Sequence, residues 1–136
     1  MRLLELKDLR VEFPTLDGTV KAVDSVSFSL DRGETLAIVG ESGSGKTVTN
    51  LALMGLLPGR ASRISGSAIL HGTDSSQSKE NDVELIGLDD LSSQQIRGRR
   101  ISMIFQDPMS SLHPYFTIGD QIIEAHQVHH QVSKEV

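Results

Sequence analysis

The sequence contains no cysteine, which excludes disulfides, thiolate metal sites and cysteine nucleophiles and fits a reducing compartment. It also contains no apolar stretch that approaches the ~20 residues needed to cross a bilayer as a helix. Residues 1–8 carry charges through the region where a signal peptide needs an apolar core. We therefore expect the chain in the cytoplasm, or at a membrane only through a partner.

The sequence also has no excess of basic over acidic residues. The formal net charge is −5 at pH 7, which argues against a protein that binds nucleic acid through a general basic field. The basic cluster at 97–100 is interpreted as a solvated loop before a strand. With 136 residues, 38% hydrophobic and 23% charged, the chain has the size and composition of one ordinary globular domain.

What the sequence does contain is a glycine-rich loop between two apolar segments. The apolar run 35–39 predicts a buried parallel strand before the loop. Residues 48–57 predict a helix after it, which stops at Pro58 and Gly59. Between them the pattern G-x-x-x-x-G-K-[ST] is matched by Gly40, Glu41, Ser42, Gly43, Ser44, Gly45, Lys46 and Thr47.

Strand, glycine-rich turn and helix start together predict binding of a nucleoside triphosphate. Successive backbone N–H groups of the turn form a nest for phosphate oxygens, and the helix N-terminus adds partial positive charge. Lys46 can reach the β- and γ-phosphates, and the Thr47 hydroxyl can ligate Mg²⁺.

The N-terminal part of the chain predicts a β-hairpin. Apolar and polar residues alternate over 3–11 and 26–30, as in half-buried strands, and Asp17 and Gly18 between them are a turn signal. Residues 59–67 look like a loop, and 68–71 like a short strand.

The C-terminal part predicts a mixture of loops, one strand and two helices. Residues 73–82 contain no apolar side chain, which predicts an exposed loop. A helix is predicted to about Ile96, a buried strand over 101–105, and an irregular segment over 108–114. Thr117 to Asp120 match a capping box, which opens a helix whose apolar face carries Ile118, Ile122, Ala125 and Val132.

Gln106 follows directly on the predicted strand 101–105, at the position where strand ends meet ligands in open α/β sheets. Its carbonyl oxygen could bind Mg²⁺, or the side chain could position a water near a γ-phosphate; the alternative is a surface glutamine at a strand exit. The block 101–112 resembles the Q-loop of ATP-binding-cassette (ABC) ATPases, and Gln106 matches the glutamine of that loop.

Further segments resemble the oligopeptide/dipeptide importer branch of the ABC family in particular. They are the loop 40–47, residues 54–58, 105–109 and 114–121. His113 stands where an asparagine is expected in this branch. The resemblance covers essentially the whole chain.

The resemblance implies a fold and a domain organisation. The fold is an α/β P-loop NTPase (ABC cassette) core with an N-terminal antiparallel β subdomain. Residues 1–136 would be the N-terminal part of one nucleotide-binding domain, with Walker A at 40–47 and the Q-loop around Gln106. The domain would be truncated before the helical subdomain and the C-terminal strands are complete. In the family the signature motif, the Walker B strand with its catalytic glutamate and the switch histidine follow the Q-loop, and none occurs in this sequence.

The resemblance also implies a function and partners. The chain would belong to an ATP-binding subunit that couples ATP binding and hydrolysis to uptake of oligopeptides or dipeptides, with ATP and Mg²⁺ as cofactors. In the family this subunit pairs with a second ATPase subunit and drives two transmembrane permease subunits, while an external binding protein delivers the peptide. Its place is the cytoplasmic face of the inner membrane, held there through the permease, with no role for nucleic acid.

Site residues outside the loop follow from the same resemblance. Phe13 matches the aromatic residue that stacks on adenine in ABC ATPases, although a core Phe of the N-terminal sheet is the alternative. Thr47 and Gln106 would hold Mg²⁺, and Gln106 would also position water.

Because the catalytic glutamate is missing, we predict that this chain alone binds ATP weakly and does not hydrolyse it. A parallel sheet without its other strands also predicts exposed apolar faces and a marginally stable or aggregating chain.

Other interpretations remain open at the level of sequence. The chain could be a non-functional truncated fragment, or a small non-ABC P-loop NTPase or kinase that uses Asp89 or Asp90, since 85–90 imitates a Walker B motif. Gly87 weakens a strand there. The cargo (oligopeptide, dipeptide, glutathione or nickel) and the homodimeric or heterodimeric pairing stay undecided.

Two further patterns resemble functional motifs, a signature motif and a zinc site, but each lacks residues that the motif requires. Residues 91–95 resemble the Leu-Ser-Gly-Gly-Gln signature of the family, but they lack both glycines and precede the Q-loop. His126, His129 and His130 share a helical face, which could suggest zinc, but no glutamate stands in the zincin position. A solvated helix face is the preferred interpretation.

Overall fold

A computed structural model describes residues 1–72 and 82–130 of the chain. The chain divides into two compact units, Met1–Asp90 and Leu91–Val136. The strands are β1 (Arg2–Thr15), β2 (Gly18–Asp31), β3 (Arg63–Leu70) and β4 (Val83–Glu84). The helices are α1 (Lys46–Leu53), α2 (Asp90–Ile96) and α3 (Ile118–Gln127), with a 3₁₀ turn at Pro108–Ser111.

The first unit is built on an antiparallel sheet in the order β2-β1-β3-β4. The hairpin between β1 and β2 confirms the turn predicted at Asp17 and Gly18, and Gly18 has a φ of 131°, which favours glycine. Both strands are longer than the alternating pattern indicated. β3 begins at Arg63, so the loop predicted for 59–67 was wrong in its second half.

The core lies along β1, where the buried positions change phase in mid-strand. Leu4 and Leu6 are buried at even positions, whereas Leu9 and Val11 are buried at odd positions. A bulge makes this possible: the pairing register with β2 shifts between Leu6 and Leu9, and Asp8 adopts a φ of 47°. One extra residue reverses which side chains face the core, so both halves of the strand bury their apolar residues.

β3 accommodates the bulge through a glycine. A Cβ on Gly66 would lie 2.6 Å from the carbonyl oxygen of Asp8 and 2.7 Å from that of Lys7, and Gly66 has a φ of 108°. Any other residue would meet backbone atoms there. The close approach of β3 to the bulge therefore depends on this glycine.

The short strand β4 is held to β3 by the carboxylate of Glu84. This carboxylate accepts hydrogen bonds from the Ser67 hydroxyl, from the Ala68 N–H at 2.6 Å and from the Ile86 N–H at 3.2 Å. Partial burial raises the pKa of Glu84, but the three hydrogen bonds outweigh it and keep the pKa below its ordinary value of 4.5.

The structure places neither 35–39 nor 101–105 in a strand, so both strand predictions were wrong. Leu36 and Ile38 are about two-fifths exposed and Val39 is 89% exposed. Ile104 is likewise 89% exposed, and Ile101 forms only an isolated bridge with Arg97. A parallel strand needs hydrogen-bonded neighbours and cover on both faces, and the described ranges supply neither to these segments.

The second unit contains α2, the 3₁₀ turn and α3. α2 and the capping box of α3 confirm the predictions, since the Asp120 N–H donates to the Thr117 hydroxyl at 3.1 Å. The predicted apolar face of α3 is not covered within this unit: Ile118 and Ile122 are both more than 60% exposed. Val132 and the loop predicted for 73–82, apart from Asp82, lie outside the described residues.

The substitution Glu84→Gln tests the attachment of β4. Because the folded-state pKa of Glu84 lies below 4.5, its stabilisation is fully present above pH 4.5 and is lost as the pH falls through the folded-state pKa. At pH 7 we expect the variant to lose about 1 kcal/mol of protection against hydrogen exchange at the Ala68 and Ile86 amides, a low value for a charged acceptor because the side chain is partly exposed.

The difference between wild type and Glu84→Gln should then shrink as the pH falls through the lowered folded-state pKa of Glu84 and disappear once the carboxyl is protonated. Glu12→Gln is the matched control, because no hydrogen bond or ion pair of the Glu12 side chain occurs in the described part of the chain. A protection loss that is the same at every pH, or the same in the control, would contradict this role of Glu84.

Candidate functional site

The phosphate-binding loop predicted at 40–47 runs directly into α1. The helix begins at Lys46, two residues earlier than predicted, and Gly45 caps it in the left-handed conformation with a φ of 89°. The helix ends at Leu53 rather than at residue 57, because Gly55 turns the chain with a φ of 62°. The first-turn N–H groups of α1, which have no partner inside a helix, therefore belong to loop residues.

Gly45 holds the loop against β2. A Cβ at this position would lie 2.4 Å from the carbonyl oxygen of Ala22 and 3.4 Å from a methyl group of Val23. The Gly45 carbonyl accepts hydrogen bonds from the Thr49 N–H at 2.8 Å and the Thr49 hydroxyl at 3.0 Å. Thr49 is buried, so the end of the loop is fixed from both sides.

Lys46 folds back over the loop that precedes it. Its ammonium donates to the carbonyl oxygens of Gly40 at 2.7 Å and Glu41 at 2.6 Å, and to the Ser44 hydroxyl at 3.1 Å. A lysine ammonium has three N–H donors, and the loop supplies one acceptor for each. The positive charge is thereby held against the backbone of the loop.

Glycine is required at the other two glycine positions of the loop, 40 and 43, for two different reasons. A Cβ on Gly40 would lie 2.6 Å from the Ser44 hydroxyl oxygen and 3.7 Å from the Lys46 nitrogen, so Gly40 leaves room for this cluster. Gly43 has a φ of 82° and open space around it, so its requirement is conformational.

A cavity of about 380 Å³ lies beside the loop in the first unit. The loop side is lined by Gly40, Ser44, Gly45 and Lys46. The rest of the lining is mostly apolar and comes from β2, from the segment before the loop and from α1. These residues are Ala22, Val23, Asp24, Val26, Phe28, Ile38, Val39 and Thr49. The lining of this largely apolar cavity thus includes one cationic side chain, Lys46, and one carboxylate, Asp24.

Sequence reasoning missed the contribution of β2 to this site. Ala22 and Val23 carry no functional side chain, and the contact is made by a backbone carbonyl and a methyl group. The only sequence signal is the glycine at position 45, which indicates a close approach without identifying its partner.

The predicted site residues Thr47, Phe13 and Gln106 lie in three different parts of the chain. Thr47 lies exposed in the first turn of α1. Phe13 is half-buried on β1 opposite Val20 and is not among the residues that line the cavity. Gln106 is exposed in the second unit. The roles of Phe13 and Gln106 in nucleotide binding stay predictions.

The patterns that sequence reasoning set aside lie in turns and helices. Residues 86–87 form a turn after β4 instead of a strand, and Gly87 has a φ of 83°. Residues 91–95 belong to α2. The rings of His126 and His130 stack at a centroid distance of 4.5 Å, and no group of three or more metal-ligating side chains occurs in residues 1–72 and 82–130.

The residues of the loop fit a polyphosphate chemically. A Cβ at Gly40 would fill the space beside the ammonium, whereas glycine leaves it open. The ammonium of Lys46 and the N–H groups at the start of α1 are donors without competing carboxylates in their hydrogen bonds. This donor set suits phosphate oxygens, and the adjacent Thr47 hydroxyl suits Mg²⁺.

Comparison with known proteins relates most of this chain to one family. The family model described as "ABC transporter" matches residues 23–136. The oligopeptide transport ATP-binding protein OppD of Escherichia coli is 49% identical over 97% of this chain, which spans 36% of that protein. The dipeptide transport ATP-binding protein DppD of Bacillus subtilis is 46% identical over 98% of this chain, which spans 37% of it.

The chain thus covers about a third of the length of these relatives. Within the described residues, no helix has the length and apolar character that a membrane span requires.

The substitution Gly45→Ala tests how the loop is held. The added Cβ would strain a left-handed residue and collide with the Ala22 carbonyl, so we expect a loss of about 2 kcal/mol or more in the free energy of unfolding. Urea denaturation gives this value. Gly59→Ala is the matched control, since its Cβ would enter open space without backbone strain. The control should change stability by less than about 0.5 kcal/mol, and equal losses in both variants would refute the contact.

Proposed function

Because the chain belongs to the ABC transporter family, we propose that it forms the phosphate-cradling part of an ATP-binding subunit that powers uptake of oligopeptides or dipeptides. Family membership assigns the chain to the P-loop NTPase fold. The observation that carries the proposal is the loop at 40–47, in which Gly45 fixes the backbone and Lys46 presents its ammonium beside the start of α1. The relatives named for oligopeptide and dipeptide transport support the cargo class.

Each site residue has a role that its chemistry suits. The loop N–H groups and Lys46 hold the phosphates, and the Thr47 hydroxyl binds Mg²⁺. The role proposed for Gln106 is to bind Mg²⁺ or to position water. Phe13 stacks on adenine, which binds the base with little selectivity. The bound magnesium nucleotide supplies the triphosphate whose hydrolysis drives transport.

We further propose that 107–121 forms the surface that meets a permease subunit at the cytoplasmic face of the membrane. Several apolar side chains of this segment are more than half exposed within the second unit: Met109, Tyr115, Phe116 and Ile118. Apolar side chains of this size are the kind that anchor protein interfaces. A second ATPase subunit, a pair of permease subunits and an external peptide-binding protein complete the proposed assembly.

The domain assignment is part of the same proposal. Residues 1–136 correspond to the first part of one nucleotide-binding domain, with Walker A at 40–47 and the Q-loop around Gln106. Neither a signature motif nor a catalytic glutamate after an apolar strand occurs in these residues. Binding and hydrolysis are therefore separable in this chain.

The binding step is tested by titrating the 136-residue chain with Mg-ATP and following backbone amide signals of the loop by NMR. We expect saturable shifts, and Lys46→Ala should weaken binding at least about tenfold because a charged phosphate contact is lost. Lys7→Ala is the matched control, since Lys7 is an exposed lysine that pairs with Glu5 on β1. Absence of shifts in the wild type, or equal affinity of the two variants, would overturn the proposal.

The hydrolysis step is tested by phosphate release from the same samples. Because no glutamate follows an apolar strand in this sequence, as the family's catalytic base does, we expect no turnover above that of Lys46→Ala. Measurable Mg²⁺-dependent turnover by the wild type, abolished in Lys46→Ala, would show that residues 1–136 contain a complete catalytic site.

A further inference from the structure

The hydrogen bonds of Lys46 include one acceptor that differs from the other two. Gly40 and Glu41 offer backbone carbonyl oxygens, whereas Ser44 offers a side-chain hydroxyl. All three N–H groups of the ammonium are thereby engaged within the loop. A phosphate oxygen that binds this ammonium must replace one of the three acceptors.

Ser44 is the acceptor that can leave. Its contact with the ammonium is the longest of the three, at 3.1 Å against 2.7 Å and 2.6 Å. A hydroxyl also turns away by rotation about one side-chain bond, whereas a carbonyl moves only with the backbone. The Glu41 carbonyl is further fixed because it accepts from the Ser44 N–H at 3.2 Å.

Gly40 keeps the space in which the Ser44 hydroxyl reaches the ammonium. A Cβ on Gly40 would lie 2.6 Å from the hydroxyl oxygen and would push it away. The contact between Ser44 and Lys46 therefore depends on glycine at position 40. Gly40 thus acts on the ammonium in two ways, through its own carbonyl oxygen and through the space it leaves for the Ser44 hydroxyl.

We infer that Ser44 is a positioning residue for Lys46, whose hydroxyl occupies the third N–H of the ammonium until a phosphate oxygen replaces it. This inference rests on the proposed function, because it assumes that phosphate binds at the loop. A charged phosphate oxygen is a stronger acceptor than a neutral hydroxyl, so the exchange is favourable. The hydroxyl bond exists only in the nucleotide-free loop and therefore opposes binding.

Removal of the hydroxyl should consequently tighten phosphate binding. We expect Ser44→Ala to lower the dissociation constant by about threefold, since only one exposed hydrogen bond of the free state is lost. The factor should be the same for Mg-ATP and for pyrophosphate, because the exchange involves phosphate oxygens alone. Ser44→Thr keeps the hydroxyl and should bind like the wild type.

The experiment combines two NMR measurements on the full 136-residue chain. Without ligand, the Nζ protons of Lys46 should exchange with solvent faster in Ser44→Ala than in the wild type and in Ser44→Thr. With ligand, titrations with Mg-ATP and with pyrophosphate give the dissociation constants. Ser29→Ala is the matched control, since Ser29 is an exposed serine on β2 opposite Glu5.

The outcomes separate the inference from the proposed function. Faster exchange and tighter binding in Ser44→Ala alone would support the inference. Unchanged exchange, or unchanged or weaker binding in Ser44→Ala while the wild type binds, would overturn the inference and leave the proposed function intact. A wild type that binds neither ligand would overturn both.

Discussion

β1 supplies hydrogen-bond partners on both of its sides, and the first unit depends on this double pairing. β2 and β3 are far apart in sequence from one another but meet β1 over most of its length. Leu6, Leu9 and Val11 are almost completely buried along it. The bulge at Asp8 lets one strand place apolar residues of opposite phase on the same face, so a 14-residue strand remains fully anchored.

The phosphate-binding loop takes its fixed position from this sheet. β2, which β1 holds in register, brings the Ala22 carbonyl against Gly45, and Gly45 caps the start of α1. The position of the loop thus depends on the buried strand β1, which holds β2, and on β2, which contacts Gly45. Because glycine has no Cβ, Gly45 can adopt the left-handed conformation and lie close to the Ala22 carbonyl. Lys46 then organises the earlier part of the loop through carbonyl oxygens.

Features encoded within a few residues could be predicted from the sequence, and features that need distant partners could not. The hairpin turn, the helix after the loop and the Thr117 cap follow from local turn and capping chemistry, and the structure confirms them. Residues 35–39 and 101–105 have the composition of buried strands but pair with no strand in the described ranges, and 101–105 forms only the isolated bridge of Ile101. Composition indicates that a segment can be a strand, whereas pairing decides whether it becomes one. The start of β3 at Arg63 was missed for the same reason, because pairing with β1 extends it through Gly66.

The same distinction divides the candidate site. Gly40, Gly45 and Lys46 lie within seven residues, so one turn and one helix start set their geometry, and the motif predicted the turn and the helix while phosphate binding stays a prediction. Phe13 lies on β1 and Gln106 lies in an irregular segment of the second unit, so their proposed contacts with a nucleotide require long-range placement that no local pattern determines. A phosphate cradle can therefore keep its shape where the flanking strand is unpaired, because glycine conformation and lysine hydrogen bonds hold it from within. A general base cannot be placed in this local way. It requires a carboxylate that another strand brings to the γ-phosphate, and the loop alone cannot supply that carboxylate.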